Sequence, residues 1–381
     1  MTIYHFSTDI PKEEYEQFVQ NHPYCNLLQS YDWAVIKNNW DHLITGIYNE
    51  KKELAAAGLV LIRTLPMGFT MFYLPRGPIL DYKNTKLMEY YFRELKQIAK
   101  RRKCLFIKFD PAIHVNDYKS SEYNENRYPE TQDYLQAFKK IGAIHHGFTK
   151  YIHESAQPRY QSNVYPEQDW RENLPKHTKR LIKDADRRNV QIIHGQQELV
   201  PEFSRLVSLT EQRKQVALRN EDYFRLLMDT YPQGGVIFLA QCNVYRLLQQ
   251  AKEKEQDVLK ELEILPENAK KKKRRLEDQL RSAQKDVKEF EEVLEEFGYE
   301  DKEINIAGIL SIQYGKTCEM LYAGMDERFK KFMPQYKEYV ENFQWAFDRG
   351  CLFSNMGGVE GSLDDGLTKF KDNFNPVINE F

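Results

Sequence analysis

Lys270–Arg275 is an unbroken run of six cations in a chain whose 55 basic and 57 acidic residues leave a net charge of −2. Clustered cations bind polyphosphates by releasing counterions, so the run is a candidate site for a large anion such as nucleic acid. It reads equally well as a solvated helix face that keeps a projecting arm in solution. A second basic group, Lys176, Lys179, Arg180, Lys183, Arg187 and Arg188, falls at helical spacing and carries the same two readings. Gly357-Gly358-Val359-Glu360-Gly361 offers backbone amides that a substrate can approach closely, or simply a turn. Gly315-Lys316-Thr317 lacks the earlier glycine of a phosphate loop, because that position is Leu310. The sequence has no G-x-S-x-G elbow and no H-E-x-x-H. His145-His146 has no carboxylate or cysteine at ligand spacing and reads as surface. Cys25, Cys104, Cys242, Cys318 and Cys351 are odd in number and never form C-x-x-C. That argues against a disulfide framework or a zinc site, and for a reducing cytoplasm.

The cation run sits on the element that organises the chain. Val244, Leu248, Ala251, Val258, Leu262 and Leu265 recur at alternating four- and three-residue steps, with Glu255 filling the one gap. Ala269, Leu276, Leu280, Ala283, Val287, Phe290, Leu294 and Phe297 continue at the same step around Lys273. Two such stripes, separated by Pro266, predict an antiparallel coiled-coil hairpin folded back at about 265–268. Ahead of it, strands are expected at 43–48, 55–64, 70–74 and 104–109, and helices at 11–21, 30–37, 83–102 and 131–141. Residues 116–129 read as polar loop. The second half repeats the order, with helices at 176–188, 198–213, 221–231 and 332–349 and strands at 190–194, 236–240, 304–314, 318–323 and 351–355. In each half a basic-ended helix leads into Cys-Leu-Phe, at Cys104-Leu105-Phe106 and Cys351-Leu352-Phe353. The chain therefore reads as a duplicated α/β protein with an inserted arm. Met1–Pro11 lacks the apolar core of a signal peptide, and no run approaches the ~18 apolar residues of a membrane span.

Residues along nearly the whole chain resemble the Fem family, whose aminoacyltransferases build the interpeptide bridge of Gram-positive peptidoglycan. They are most similar to its streptococcal MurM/MurN branch. The matching segments are Leu27-Leu28-Gln29-Ser30 with Trp33 and Lys37, Phe72–Tyr82, Phe109-Asp110-Pro111 and Gln157-Pro158-Arg159. Leu218–Tyr223, Leu321–Met325, Asn355–Glu360 and Phe370-Lys371 ahead of Phe374-Asn375-Pro376 complete the set. The resemblance implies two tandem acetyltransferase-like (GNAT-like) domains. The first spans 1–155 and the second 156–243 and 301–369, interrupted by the coiled coil at 244–300. Residues 370–381 form a segment returning towards the first domain. Two departures stand out. Members usually continue past the equivalent of Phe381 into a further strand and basic tail, and Arg213-Lys214-Gln215-Val216 lacks the acidic-glycine turn of staphylococcal relatives.

Function follows from the same resemblance. It implies transfer of Ala or Ser from aminoacyl-tRNA to the ε-amine of the stem-peptide lysine of lipid II, without ATP, metal or nucleotide cofactor. The enzyme would work in the cytoplasm, peripherally on the inner face of the membrane. Lys37 and Arg219 match the positions that hold the acceptor diphosphate, with Trp33, Tyr223 and Tyr322 around the acceptor. Asp110 matches the carboxylate that engages the attacking amine. Phe370 and Lys371 match the donor-site pair, and Lys270, Lys271, Arg274 and Arg275 at the hairpin tip are expected to meet tRNA. Two other classes are weighed. One is a catalytically weak RNA- or membrane-binding adaptor. The other is a coenzyme-A acetyltransferase, disfavoured by the lack of a glycine-rich pyrophosphate loop.

Overall fold

The computed structural model describes residues 4–123, 126–214, 219–266 and 268–381. The first half runs β1 (His5–Ser7), α1 (Lys12–Asn21), α2 (Trp33–Ile36), β2 (Asp41–Tyr48), β3 (Leu54–Thr64), β4 (Thr70–Arg76), β5 (Ile79–Leu80), α3 (Thr85–Arg101), β6 (Cys104–Pro111), β7 (Asn116–Tyr118) and α4 (Glu130–Lys140). The second half runs β8 (Tyr160–Val164), α5 (Lys176–Arg187), β9 (Gln191–Gly195), α6 (Val200–Lys214), α7 (Glu221–Thr230) and β10 (Gly235–Cys242). It continues through α8 (Val244–Glu263), α9 (Lys270–Phe297), β11 (Ile304–Tyr314), β12 (Thr317–Met325), α10 (Pro334–Asp348), β13 (Phe353–Val359), α11 (Gly366–Asp372) and β14 (Val377–Glu380). Among the described residues the strands form two sheets, ordered β1-β2-β3-β4-β6, with β5 also on β3, and β7-β14-β8-β13-β12-β11-β10-β9.

The two halves repeat one unit. Helix α3 links β4 to its parallel partner β6, and α10 links β12 to its parallel partner β13. Each Cys-Leu-Phe triplet lies where the chain leaves the linking helix and enters the second parallel strand. Helix α3 is fixed by its apolar stripe Leu87, Met88, Tyr91, Phe92, Leu95 and Ala99, and by Asn84 accepting from the Leu87 amide. Helix α10 buries Tyr339, Val340, Phe343 and Ala346 in the same way. Gly324 lets α6 lie close on β12, since a Cβ there would come within 2.6 Å of the Leu206 carbonyl carbon.

One core binds the halves together. Tyr15, Trp33 and Leu59 of the first pack with Phe203, Phe224, Leu227 and Leu310 of the second. Polar ties reinforce it, with Tyr314 donating to Glu16 at 2.6 Å and Ser30 hydrogen-bonded to Tyr231 at 2.6 Å. Burial of this extent fixes the geometry of anything built across the seam.

Residues 116–129, expected to be loop, contain β7, which joins the far end of the second sheet beside β14. The strands β8 and β14 and the helix α11 were also not foreseen. The hairpin is an antiparallel pair, with Val258, Leu276 and Ala283 buried along its seam. Its base is different. Ala251, Phe290 and Leu294 pack with Phe329 and Phe332 in the core of the second half.

Candidate active site

Lys37 closes α2, and Arg219 sits just before Asn220, whose side chain caps α7 by accepting from the Tyr223 amide at 3.2 Å. Because α2 packs against α7, the two cations come from different halves and lie close enough to repel. Burial, and then Arg219, push the Lys37 ammonium below its ordinary pKa. Arg219 is held by Tyr322 and Tyr223, which accept from its guanidinium and keep its pKa up, and it lies 4.9 Å from the Tyr223 ring centroid. Neither cation has a carboxylate within 4.0 Å among the described residues. Like charges brought together without an acid between them favour an anion. Trp33, expected at the acceptor, is only 5% exposed and belongs to the core. It acts from beneath, with the Lys37 ammonium 5.6 Å from its ring centroid. The Arg213 side chain pairs with Glu327, while Gln215, Val216 and Leu218 lie outside the described residues.

Asp110 ends β6 beside Arg76 on β4. Its Oδ1 accepts from the Arg76 amide and its Oδ2 from the Tyr73 hydroxyl, each at 2.8 Å. Burial raises its carboxyl pKa, and Arg76 opposes that rise. Arg76 itself is 3% exposed, donates to the Pro158 carbonyl and lies 4.1 Å from the Phe381 ring centroid. Gln157 reaches the Tyr73 hydroxyl at 3.4 Å. Asp110 thus stands at the seam, attached through Arg76 and Tyr73 to the start of the second half. Past it, Ala112, Ile113 and His114 form one wall of an open cavity of about 430 Å³, with Tyr24, Lys83 and Tyr134 opposite.

The second sheet opens beside Phe370 and Lys371, the residues expected at the donor site. Strands β12 and β13 are paired only at Thr317–Phe353, Cys318–Ser354 and Glu319–Asn355. Beyond that point β12 continues along β11 to Met325, while β13 stays on β8, with a bulge between Asn355 and Gly358. Asn355 Oδ1 accepts from the Gly357 amide at 2.7 Å, and Gly357 takes a φ of 84° that favours glycine. Lys371 is 4% exposed and donates from Nζ to the Gly358 carbonyl at 2.9 Å, which fixes its ammonium on the cleft wall. The Phe370 ring packs against Tyr336, Tyr339 and Phe374 at 5.3–5.7 Å, so only its remaining exposed part is open to a stacking partner.

A model described as the FemAB family matches residues 10–381. The chain belongs to the FemAB family. It is 26% identical over 399 aligned positions to proteins named aminoacyltransferase FemA from Staphylococcus aureus strains RF122 and MRSA252, covering 98% of this chain and 93% of each of those. A crystal structure of FemX has the same fold, with a TM-score of 0.76 at 22% identity over 99% of this chain and 95% of that one. The FemAB-family assignment makes this chain an aminoacyltransferase, with the fold of FemX. No helix among the described residues is long and apolar enough to cross a membrane.

Within this FemAB-family fold the hairpin tip lies apart from the seam. Lys270–Arg275 are all exposed and occupy the first turns of α9, where cations oppose the helix dipole at ~0.3–1 kcal/mol each. Lys272 has a partial partner in Glu261 at 3.4 Å. Helix α5, with its basic stripe, adjoins α11, because Thr178 donates to the carbonyl of Asn373. Residue types and spacing did not mark Tyr73, Arg76, Glu319 or Asn355 as site residues. Tyr73, Arg76 and Asn355 lie inside segments that carry the family resemblance, but only proximity across the seam shows what they hold. Glu319 lies outside every such segment.

Proposed function

We propose that this chain transfers Ala or Ser, as in the MurM/MurN branch, from aminoacyl-tRNA to the stem-peptide lysine of lipid II, building the interpeptide bridge. The observation that carries the reading is the pairing of Lys37 with Arg219, two cations from separate halves with no acidic partner among the described residues. That pair suits a diphosphate, which Arg can grip bidentately. The open cavity beside Ala112–His114 would receive part of the stem peptide, so that its lysine reaches back to Asp110.

The lysine arrives as an ammonium, with a reference pKa of ~10.4. Asp110, whose carboxyl pKa is raised by burial, binds it and takes one proton. The neutral nitrogen attacks the ester carbonyl, forming an N–C bond. Lys371 offsets the charge that develops on the carbonyl oxygen. As the tetrahedral species collapses, the C–O bond to the ribose breaks, the departing oxygen takes the second proton of the attacking nitrogen, and Asp110 returns its proton to solvent. The amide stays on the acceptor. The exposed part of Phe370 supports the terminal adenosine, while α5 and Lys270, Lys271, Arg274 and Arg275 follow the tRNA backbone. The same cations, with lipid II as anchor, would keep the enzyme on the inner membrane surface.

Mass spectrometry of lipid II after incubation with a full set of charged tRNAs tests this reading. A mass gain of one Ala or Ser residue on the stem lysine is expected. A gain from another amino acid alone corrects the donor, and no gain with any charged tRNA refutes the reading.

A further inference from the structure

The reaction as described leaves one carboxylate unused. Glu319 occupies the last paired rung between β12 and β13, at the floor of the opening whose wall carries Lys371. Its neighbours Cys318 and Met320 pack on the α10 side of the sheet, so Glu319 is directed to the opposite face, towards the first half. There it comes within electrostatic range of Arg76 and Cys25. Its Oε2 accepts from the Asn355 side-chain amide at 2.7 Å, and no cation lies within 4.0 Å among the described residues. Arg76 is engaged elsewhere, with the Pro158 carbonyl and the Phe381 ring.

We propose that Glu319 receives the α-ammonium of the aminoacyl donor and so makes the cleft select an acyl group bearing a free amine. The inference rests on the aminoacyl-tRNA reading above and deepens it. An aminoacyl ester differs from other acyl donors by one cation beside the carbonyl. A cleft that places Lys371 near the carbonyl oxygen needs an anion near that cation. Glu319 and Lys371 are anchored on the same four residues, Asn355–Gly358, one through the Asn355 side chain and the other through the Gly358 carbonyl. The β13 bulge therefore anchors two groups of opposite charge. Burial lifts the Glu319 pKa to about 7, as expected of a carboxylate that lacks its cation, and an arriving ammonium would restore the charged form. Asp110 is not available for this task, since the reading above assigns it to the acceptor amine.

The test compares two donors in single-turnover transfer: alanyl-RNA minihelix and the matching lactyl-RNA, in which a hydroxyl replaces the α-amine. The unmodified protein should favour the alanyl donor. Glu319→Gln should lower kcat/KM for the alanyl donor by about 10–150-fold, the range for a lost charged hydrogen bond, and change the lactyl donor little. Equal losses for both donors would show that Glu319 merely braces Asn355 and the Gly358 bulge, and would overturn the proposal. If the variant does not fold, the unmodified protein still decides, because equal use of the two donors overturns it too. Transfer from neither donor would instead overturn the aminoacyl-tRNA reading, and this assignment with it.

Discussion

Removing either cation of the Lys37–Arg219 pair should raise the acceptor KM and leave kcat close to normal. A diphosphate remote from the reacting amine is held alike in the ground and transition states, so its contacts set binding and not the chemical step. Each charged hydrogen bond contributes roughly 1.5–3 kcal/mol, so Lys37→Ala and Arg219→Ala should each raise KM by about 10–150-fold. The geometry adds a finer expectation. The cations repel each other in the free protein, and a bound diphosphate relieves that repulsion. Either single substitution already removes the relief, so the double variant should lose less than the sum. pH provides an independent check. Lys37 has its pKa lowered by burial and by Arg219, so its ammonium discharges sooner than an ordinary lysine as pH rises. Affinity should be complete below the depressed value and fall above it. Arg219→Ala should move that fall to higher pH, and Lys37→Arg should abolish it. The assay is initial-rate kinetics with lipid II varied between pH 7 and 10. A pure kcat defect, or a pH profile unmoved by Arg219→Ala, would refute the clamp.

Asp110→Asn should slow transfer by up to ~10²–10⁴-fold and recover partly as pH rises, while Lys371→Met should lose ~10²–10³-fold with no recovery. Parallel single-turnover profiles for the two variants would show that they do not divide the work of base and oxyanion support. Deleting 253–288 behind a short linker should leave the melting temperature within a few degrees, because Ala251, Phe290 and Leu294 stay in the core. Global unfolding of that variant would show that the arm is not separable. Replacing Lys270–Arg275 by glutamine should weaken tRNA binding and flatten its dependence on salt, and an unchanged slope would leave the tip only a role in solubility.

The parts of the fold that announced themselves did so through apolar periodicity. The α3 stripe, the hairpin seam and the runs of β3 and β11 are buried because they are apolar at the right step, and their boundaries were legible to within a few residues. The strands β7, β8 and β14 gave no such signal, because they are short and bury polar residues beside apolar ones such as Tyr118, Tyr160 and Ile378. Ser162, Asn163, Asn379 and Glu380 are each at most 3% exposed. Most find partners among neighbours: Asn163 and Arg159 donate to Asn379 and Glu380, and Asn379 donates to Asp117 at 2.6 Å, while Ser162 Oγ and Asn163 Oδ1 have no hydrogen-bond partner among the described residues. A buried side chain whose partner lies some 220 positions away in sequence looks like loop until the partner is in place. The site divides likewise. Lys37, Arg219, Asp110 and Lys371 could be named from family resemblance, but Tyr73, Arg76 and Glu319 gain meaning only across the seam.

The duplication also explains why one half would hold the acyl donor and the other would not. In the first half β4 and β6 stay paired from Thr70–Cys104 through Arg76–Pro111, so their backbone groups satisfy each other as far as Asp110. In the second half β12 and β13 part after three rungs. A strand pair that opens exposes amides and carbonyls which cost free energy if buried without partners. Side chains supply those partners here. Asn355 takes the Gly357 amide, Lys371 takes the Gly358 carbonyl, and Glu319 and Gln161 hold Asn355 in turn. The opening is thus kept by polar side chains in place of a ladder, and under the proposed reading those side chains would carry the charges an aminoacyl ester requires. In the first half Arg76, Tyr73 and Asp110 occupy the corresponding end and are tied to Gln157 and Pro158. One half closes its strands to build the seam. The other parts them, and in the proposed reaction the acceptor amine would be brought to the line between the halves.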